Sequence, residues 1–158
     1  MHYYLTKLRK QRSRGFSLIE LMLALVIVSI VGSISSVIYS GYMSDARFAT
    51  VVQDMRSISV ILDDMYLDGA LPDSLSEVGL EQSDPWGNPY QYLRIDGGDI
   101  SGLGKLRKDK SLVPLNTDYD LYSMGEDGAS RPPLTARASH DDIVRANNGG
   151  FVGLGIDY

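Results

Sequence analysis

The sequence predicts an α+β protein in which one long N-terminal helix packs on a small antiparallel sheet. Three observations support this fold class. An apolar run covers residues 16–38, a helical stripe of apolar residues follows it directly, and the rest of the chain alternates short strand-like segments with glycine-rich turns. The chain has 158 residues, which suffices for one globular head and an accessory helix but not for two ordinary domains.

The apolar run of 23 residues carries a single charge, Glu20. At about 1.5 Å per residue, a helix of this length crosses the hydrocarbon core of a bilayer. Five basic residues and no acid precede it, within residues 1–15. Because basic flanks stay on the cytoplasmic side, we expect a cytoplasmic N-terminus and an exported segment beyond residue 40.

The helix is expected to continue past the apolar run, since no proline occurs before Pro72. Apolar residues recur there at spacings of three and four, which is the pattern of one helical face: Phe48, Val52, Met55, Ile58, Leu62 and Met65. Polar neighbours are expected to face water or other molecules, among them Asp54 and Asp63. Gly69 is the predicted stop.

The head is expected to hold short elements joined by turns. Ser74 and Glu77 form a possible capping box for a helical turn over residues 74–80. Strands are predicted at residues 90–95, 111–115 and 120–124. We expect the C-terminal part to be a long loop that ends, from Asn147 onwards, in a loose tail or a subunit contact.

Charge and composition exclude several functions. Removal of the basic residues 1–15 leaves ten basic against 20 acidic residues, a formal charge of −10. Such a surface repels phosphate backbones, so we expect no nucleic-acid partner. There is no cysteine, His140 is expected to be a solvated loop residue, and no catalytic motif is present. The chain is therefore not expected to be an enzyme.

The border between the basic and apolar segments, from Gly15 through Phe16 to Glu20, resembles the processing motif of the type IV pilin and type II secretion pseudopilin superfamily. The resemblance implies a pilin-like fold and a prepilin peptidase that cuts after Gly15 and methylates the amine of Phe16. It also implies a leader at residues 1–15, a transmembrane and filament-core helix at 16–38, and an amphipathic half-helix with a periplasmic head at 39–158.

Glu20 has a physical argument of its own, because an unpaired carboxylate inside a bilayer is costly and points to a functional partner. The amine freed at Phe16 of a neighbouring subunit is the natural partner, and pairing would fix the axial register of a filament. The alternative is that Glu20 lies close enough to the headgroups to stay hydrated.

Within this superfamily the head is most similar to the major, G-type pseudopilin, on the strength of the runs at residues 65–72, 84–90, 122–128 and 141–143. The run Asp-Pro-Trp-Gly-Asn-Pro-Tyr is interpreted as a rigid turn with Trp86 as a lid over the core. The resemblance implies a structural subunit of a pseudopilus that drives protein export. Its implied partners are further copies of itself, minor pseudopilins, an inner-membrane assembly platform and the prepilin peptidase. The precursor would be a single-pass inner-membrane protein.

Two other functions are open on the sequence alone. One is a type IV pilin of a surface filament that serves adhesion, motility or DNA uptake. The other is a signal-anchored periplasmic enzyme, which would need a catalytic constellation that the sequence lacks.

A calcium site is expected in the segment from Asp127 to Asp142, which we call the acidic loop of the head. Carboxylates and backbone carbonyls suit calcium, and the resemblance nominates Asp127, Asp141 and Asp142 with the backbone of Met124. The alternative is structural: Asp127 and Gly128 form a turn, and the aspartate pair caps a helix that begins near Ile143.

Overall fold

The structure is a computed structural model that describes residues 15–100 and 102–158, except for the side chains of residues 35–38. The predicted leader, apart from Gly15, lies outside the described residues. The chain divides into two compact units, one ending at Tyr42 and the other covering Met43–Tyr158. The described residues of the first unit are three irregular residues, 15–17, followed by helix, and the second unit contains the head.

Helix α1 covers Leu18–Leu67, a continuous run of 50 residues. Its end follows the prediction. Gly69 adopts a left-handed φ of 70°, and the amide of Ala70 donates to the carbonyl of Met65 at 2.9 Å. A glycine accepts this conformation without the steric cost that a side chain would bring, so the chain can leave the helix here.

The predicted apolar stripe of α1 is confirmed. Met55, Ile58 and Leu62 are buried in the main core together with Val51, while Phe48 and Val52 pack at its edge. The core is completed by Tyr119, Leu121 and Ile143 and by further residues of the head. Burial of these side chains is the main force that holds α1 against the sheet.

Two acidic residues of α1, which were expected to face water or other molecules, also contact the head, although Asp63 stays half exposed. Asp54 accepts a hydrogen bond from the hydroxyl of Tyr90 at 3.0 Å. Asp63 accepts one from the hydroxyl of Tyr119 at 2.6 Å and also pairs with Arg145 at 3.1 Å. Periodicity places both residues at the margin of the apolar stripe, but only the head supplies the buried hydroxyls and the cation that they meet.

Four antiparallel strands form one sheet in the order β1-β2-β3-β4. Their bounds are Gln91–Arg94 for β1, Tyr119–Ser123 for β2, Ile143–Ala146 for β3 and Phe151–Leu154 for β4. Short 3-10 helices occupy Leu75–Val78, Arg137–Ser139 and Gly155–Asp157. The α+β fold class is therefore confirmed, as are the first and third predicted strands and the helical turn after Ser74. The capping box predicted there is wrong, because the Ser74 side chain makes no capping bond and Glu77 accepts the amide of Asp73 instead.

Two other predictions for the head, a strand at residues 111–115 and a loose C-terminal tail, were wrong. Residues 111–115 form no strand, because hydrogen bonds between Asp109 and Leu112 close a tight turn at Lys110, whose φ is 47°. The C-terminal tail is instead β4, paired with β3 along its whole length. Asn147, Asn148 and Gly149 all have positive φ, the backbone of a reversing hairpin turn, which asparagine and glycine tolerate best.

The two faces of the sheet carry separate cores. Ile143 faces the core that contains α1, while Val144 and Ala146 join a second cluster with Leu115 and Leu134. The two buried members of this cluster that lie outside the sheet, Leu115 and Leu134, belong to irregular segments. Side chains alternate between the faces along a strand, so neighbouring residues at the start of β3 have different surroundings.

Candidate functional site

The predicted processing border lies outside the helix. Gly15, Phe16 and Ser17 are irregular in conformation, and α1 begins at Leu18. The side chain of Phe16 is 87% exposed. Cleavage after Gly15 and methylation at Phe16 stay predictions.

Ser17 and Glu20 form a capping box at the start of α1. The backbone amide of Glu20 donates to the hydroxyl of Ser17 at 3.3 Å, and the amide of Ser17 donates to Oε2 of Glu20 at 2.9 Å. The Ser17 hydroxyl also donates to Oε2, at 3.0 Å. The sequence carries the signature of this motif, a serine followed three residues later by a glutamate, and our sequence interpretation missed it.

The box orients the Glu20 carboxylate toward the chain terminus that cleavage would create. It turns the side chain back to the amide of Ser17, the residue next to Phe16. Beyond it, the apolar side chains of residues 18–34 are exposed in the isolated chain. Within the described part of the chain, α1 is the one helix long and apolar enough to cross a membrane.

Asp127 and Asp141 lie together in the acidic loop. The amide of Asp127 donates to Oδ2 of Asp141 at 3.1 Å. The chain passes very close to Asp141 at Gly125, where φ is 64° and a Cβ atom would fall 2.4 Å from the Asp141 carbonyl oxygen. Only glycine fits there. Residues 125–128 form a turn, as the structural alternative for Asp127 and Gly128 predicted.

Asp142 has different surroundings. Its side chain is fully buried, and Oδ2 accepts hydrogen bonds from Nη2 of Arg107 and from the hydroxyl of Ser130, each at 2.6 Å. Burial raises the pKa of Asp142, and the hydrogen bonds from Ser130 and Arg107 counteract that shift. Asp141, by contrast, lines a cavity with Trp86, Glu126 and Ile143.

The nominated donors do not fit a calcium site built on three aspartates. Among the described residues, no cluster of three or more His, Cys, Asp or Glu side chains could hold a metal ion. Asp141 and Ile143 line the same cavity. The carboxylate of Asp142 instead accepts hydrogen bonds from Arg107 and Ser130. Met124 directly follows β2 and is half-buried. Binding of calcium stays a prediction. The alternative helix cap is wrong, because β3 begins at Ile143.

The acidic loop is anchored by a turn whose side chains our sequence interpretation did not single out. Asp84 is buried, and its Oδ1 accepts the amides of Trp86 at 3.0 Å and Asn88 at 2.9 Å. Its Oδ2 accepts the hydroxyl of Ser123 at 2.6 Å. Asn88 in turn donates to the carbonyl of Gly125 at 2.9 Å. An aspartate at the head of a proline-glycine turn is the typical sequence signal for such side chain to backbone bonds.

Trp86 packs against the main core as a partly buried residue, which agrees with its predicted role as a lid. His140 is exposed, as expected for a solvated loop residue.

Comparison with known proteins identifies the N-terminal motif and the family. The family model described as the prokaryotic N-terminal methylation motif matches residues 10–36. The chain is 32% identical over 139 residues to the type II secretion system core protein G of Klebsiella pneumoniae, an alignment that covers 84% of this chain and 94% of that protein. It is 29% identical over 147 residues to the protein of the same name from Pseudomonas aeruginosa, with 76% and 87% covered. No solved structure matches.

The long helix on a four-stranded antiparallel sheet, the methylation motif and this similarity over most of the chain agree with one another. The chain belongs to the family of the type II secretion system core protein G.

Proposed function

We propose that this chain is a structural, non-enzymatic subunit of a type II secretion pseudopilus, which polymerises through its N-terminal helix to drive protein export. The observation that carries the proposal is the start of α1. There Glu20 takes part in the capping box of a helix whose apolar side chains are exposed. Apolar side chains exposed over four turns or more need either lipid or other helices to cover them.

The precursor would be a single-pass inner-membrane protein. Its basic leader would stay in the cytoplasm, residues 16–38 would cross the bilayer, and the head would lie in the periplasm. A prepilin peptidase would cut after Gly15 and methylate the new amine of Phe16. The match of the methylation motif to residues 10–36 supports this processing.

In the filament, the apolar surface of α1 would be covered by the same surface of neighbouring copies. The amine of Phe16 in one copy would then meet the carboxylate of Glu20 in another. The capping box supports this geometry because, among the described residues, its hydrogen bonds use Oε2 and leave Oε1 for the incoming amine. Pairing the two charges away from water would fix the axial register.

The remaining partners of the proposal follow from the family. Minor pseudopilins would initiate or cap the filament, and an inner-membrane assembly platform would feed subunits into it. The formal charge of −10 after leader removal argues against a nucleic-acid partner. The surface-filament alternative is not favoured, since both relatives are core proteins of type II secretion.

The processing step is tested by intact-mass and N-terminal analysis of the protein extracted from membranes. We expect a chain that begins with methylated Phe16. Recovery of an intact Met1 from cells with an active peptidase would contradict the proposal.

The assembly step is tested with Glu20→Val. We expect this variant to insert in the membrane, which alkaline extraction measures, and to yield few or no filaments in a shearing assay. The loss follows because the Phe16 amine would have no anion to pair with. Glu81→Val, which removes an exposed carboxylate of the head, is the matched control and should assemble normally. Wild-type filament yield from Glu20→Val would refute the role of this pair.

Export itself is tested by complementation of a strain that lacks the chain. Wild type should restore secretion of the exported proteins, and Glu20→Val should not. Restored surface filaments without restored secretion would favour the type IV pilin instead.

A further inference from the structure

We infer that the guanidinium of Arg107 is the built-in cation that closes the acidic loop of this chain, in place of the calcium ion that the family resemblance implies. The inference concerns the stability of the head. Its tests are therefore independent of the tests of the proposed role in a filament.

Arg107 contacts both ends of the segment that it would close. Its Nη1 donates to the hydroxyl of Ser130 at 2.6 Å and to the carbonyl of Arg131 at 2.9 Å. Its Nη2 donates to Oδ2 of Asp142 at 2.6 Å. Two side-chain oxygens and one backbone carbonyl around one positive charge are the kind of ligands that a bound cation would recruit from this loop.

Arg107 also contacts β2. Its backbone amide donates to Oδ2 of Asp120 at 3.0 Å. The guanidinium carbon, Cζ, lies 4.2 Å from the ring centroid of Tyr122. The side chain is almost completely buried. The aromatic face of Tyr122 therefore helps to hold the guanidinium in the orientation in which it meets the loop.

The same contacts oppose calcium at Asp142. The charge of this carboxylate is already neutralised, and a divalent ion would have to displace the guanidinium or lie beside it, where like charges repel. Asp127 and Asp141 lie together without Asp142. They therefore provide two carboxylates for a calcium ion and not three. Oδ1 of Asp142 is buried without a partner among the described residues, so it is the atom through which calcium would have to bind if the inference were wrong.

The test is thermal unfolding of the full chain in detergent, with millimolar calcium chloride or with chelator. We expect the Tm of wild type to be the same in both. Arg107→Gln should lower Tm by at least about 5 °C, since it leaves a buried carboxylate unpaired. The Tm of Arg107→Lys should lie between those of wild type and Arg107→Gln. Lysine keeps the positive charge but loses the planar group that donates from two nitrogens. Arg137→Gln, which removes an exposed arginine of the same loop, is the matched control and should unfold like wild type.

A rise in the Tm of wild type with calcium, or an unchanged Tm for Arg107→Gln, would overturn the inference. Should Arg107→Gln fail to fold, the double variant Arg107→Leu with Asp142→Leu provides a second route. Replacement of a buried ion pair by apolar residues is often tolerated, so we expect it to fold without dependence on calcium.

Direct binding to wild type gives an independent measurement. Terbium, a calcium substitute whose emission is sensitised by a nearby tryptophan, is titrated into the full chain. We expect no saturable signal up to about 1 mM, the weak end of the affinity range for calcium modules outside the cytosol. Saturable terbium emission that calcium displaces below this concentration would overturn the inference.

Discussion

Single residues join distant parts of the head through buried polar contacts. Asp84 is the clearest case, because one carboxylate accepts two amides of its own turn and the hydroxyl of Ser123 at the end of β2. The amide of Gly125 donates to that same hydroxyl at 3.1 Å. The chain thus passes from the tryptophan turn to the acidic loop through one hydrogen-bonded centre.

Asp84→Ala should therefore destabilise the head strongly. It leaves buried donors without acceptors, and each such group costs about 1–3 kcal/mol. We expect the free energy of unfolding to fall by about 3 kcal/mol in urea titrations of the full chain. Glu81→Ala, an exposed neighbour, should change it by less than about 0.5 kcal/mol. Equal losses of unfolding free energy in the two variants would mean that the buried hydrogen bonds of Asp84 do not stabilise the head.

At the scale of elements, α1 combines two helices of different chemistry in one run. Its N-terminal part is apolar on all sides, as expected for a helix surrounded by lipid or by other helices. Its C-terminal part is amphipathic and buries one stripe against the sheet. The change of pattern is visible in the sequence because both patterns follow the helical period.

Two leucines of α1 allow a matched test of this packing. Leu62 has no exposed surface, whereas Leu67, the last residue of the helix, is 84% exposed. Leu62→Ala should lower the free energy of unfolding by about 2–5 kcal/mol through lost burial and a cavity. Leu67→Ala should have an effect of less than about 0.5 kcal/mol. The measurement is urea unfolding of both variants, and similar losses would contradict the assigned inner face.

At the scale of the whole molecule, the interface between α1 and the sheet is rich in buried tyrosines. Burial raises the pKa of Tyr92 from an ordinary value of 10.0 to about 12. Burial also raises the pKa values of Tyr90 and Tyr119, further supported by hydrogen bonds to Asp54 and Asp63. In each case the folded state favours the neutral phenol, and for Tyr90 and Tyr119 the neighbouring acid belongs to α1.

This arrangement predicts unfolding at alkaline pH. A folded pKa above the unfolded value gives stability that is complete below about pH 10 and is lost as pH rises through about 12. We expect the phenolate absorbance of the buried tyrosines to rise in one cooperative step together with the loss of near-ultraviolet circular dichroism. Gradual titration with retained tertiary signal would contradict the prediction.

A variant can locate this effect. Tyr92→Phe should weaken the dependence of stability on pH between 10 and 12, although it also removes the hydrogen bond from Tyr92 to the carbonyl of Pro72. Tyr42→Phe, which changes a tyrosine that is 71% exposed, is the control and should leave that dependence unchanged.

The sequence by itself determined the features that depend on local period and composition. These are α1 and its two kinds of surface, the N-terminal methylation motif within residues 10–36, the isolated charge of Glu20, and the turn around Trp86. Each is encoded in neighbouring residues, since helix period and turn chemistry act over a few positions of the chain.

Only the tertiary structure decided the remainder. The short strands β3 and β4 lack a strong period of their own, and their pairing depends on the hairpin and on β2. The family resemblance grouped Asp142 with Asp127 and Asp141, yet the partner of Asp142 is Arg107, which lies 35 positions away. Adjacent residues at the start of a strand face opposite ways, and a buried charge is paired with whatever cation the fold brings to its side of the sheet.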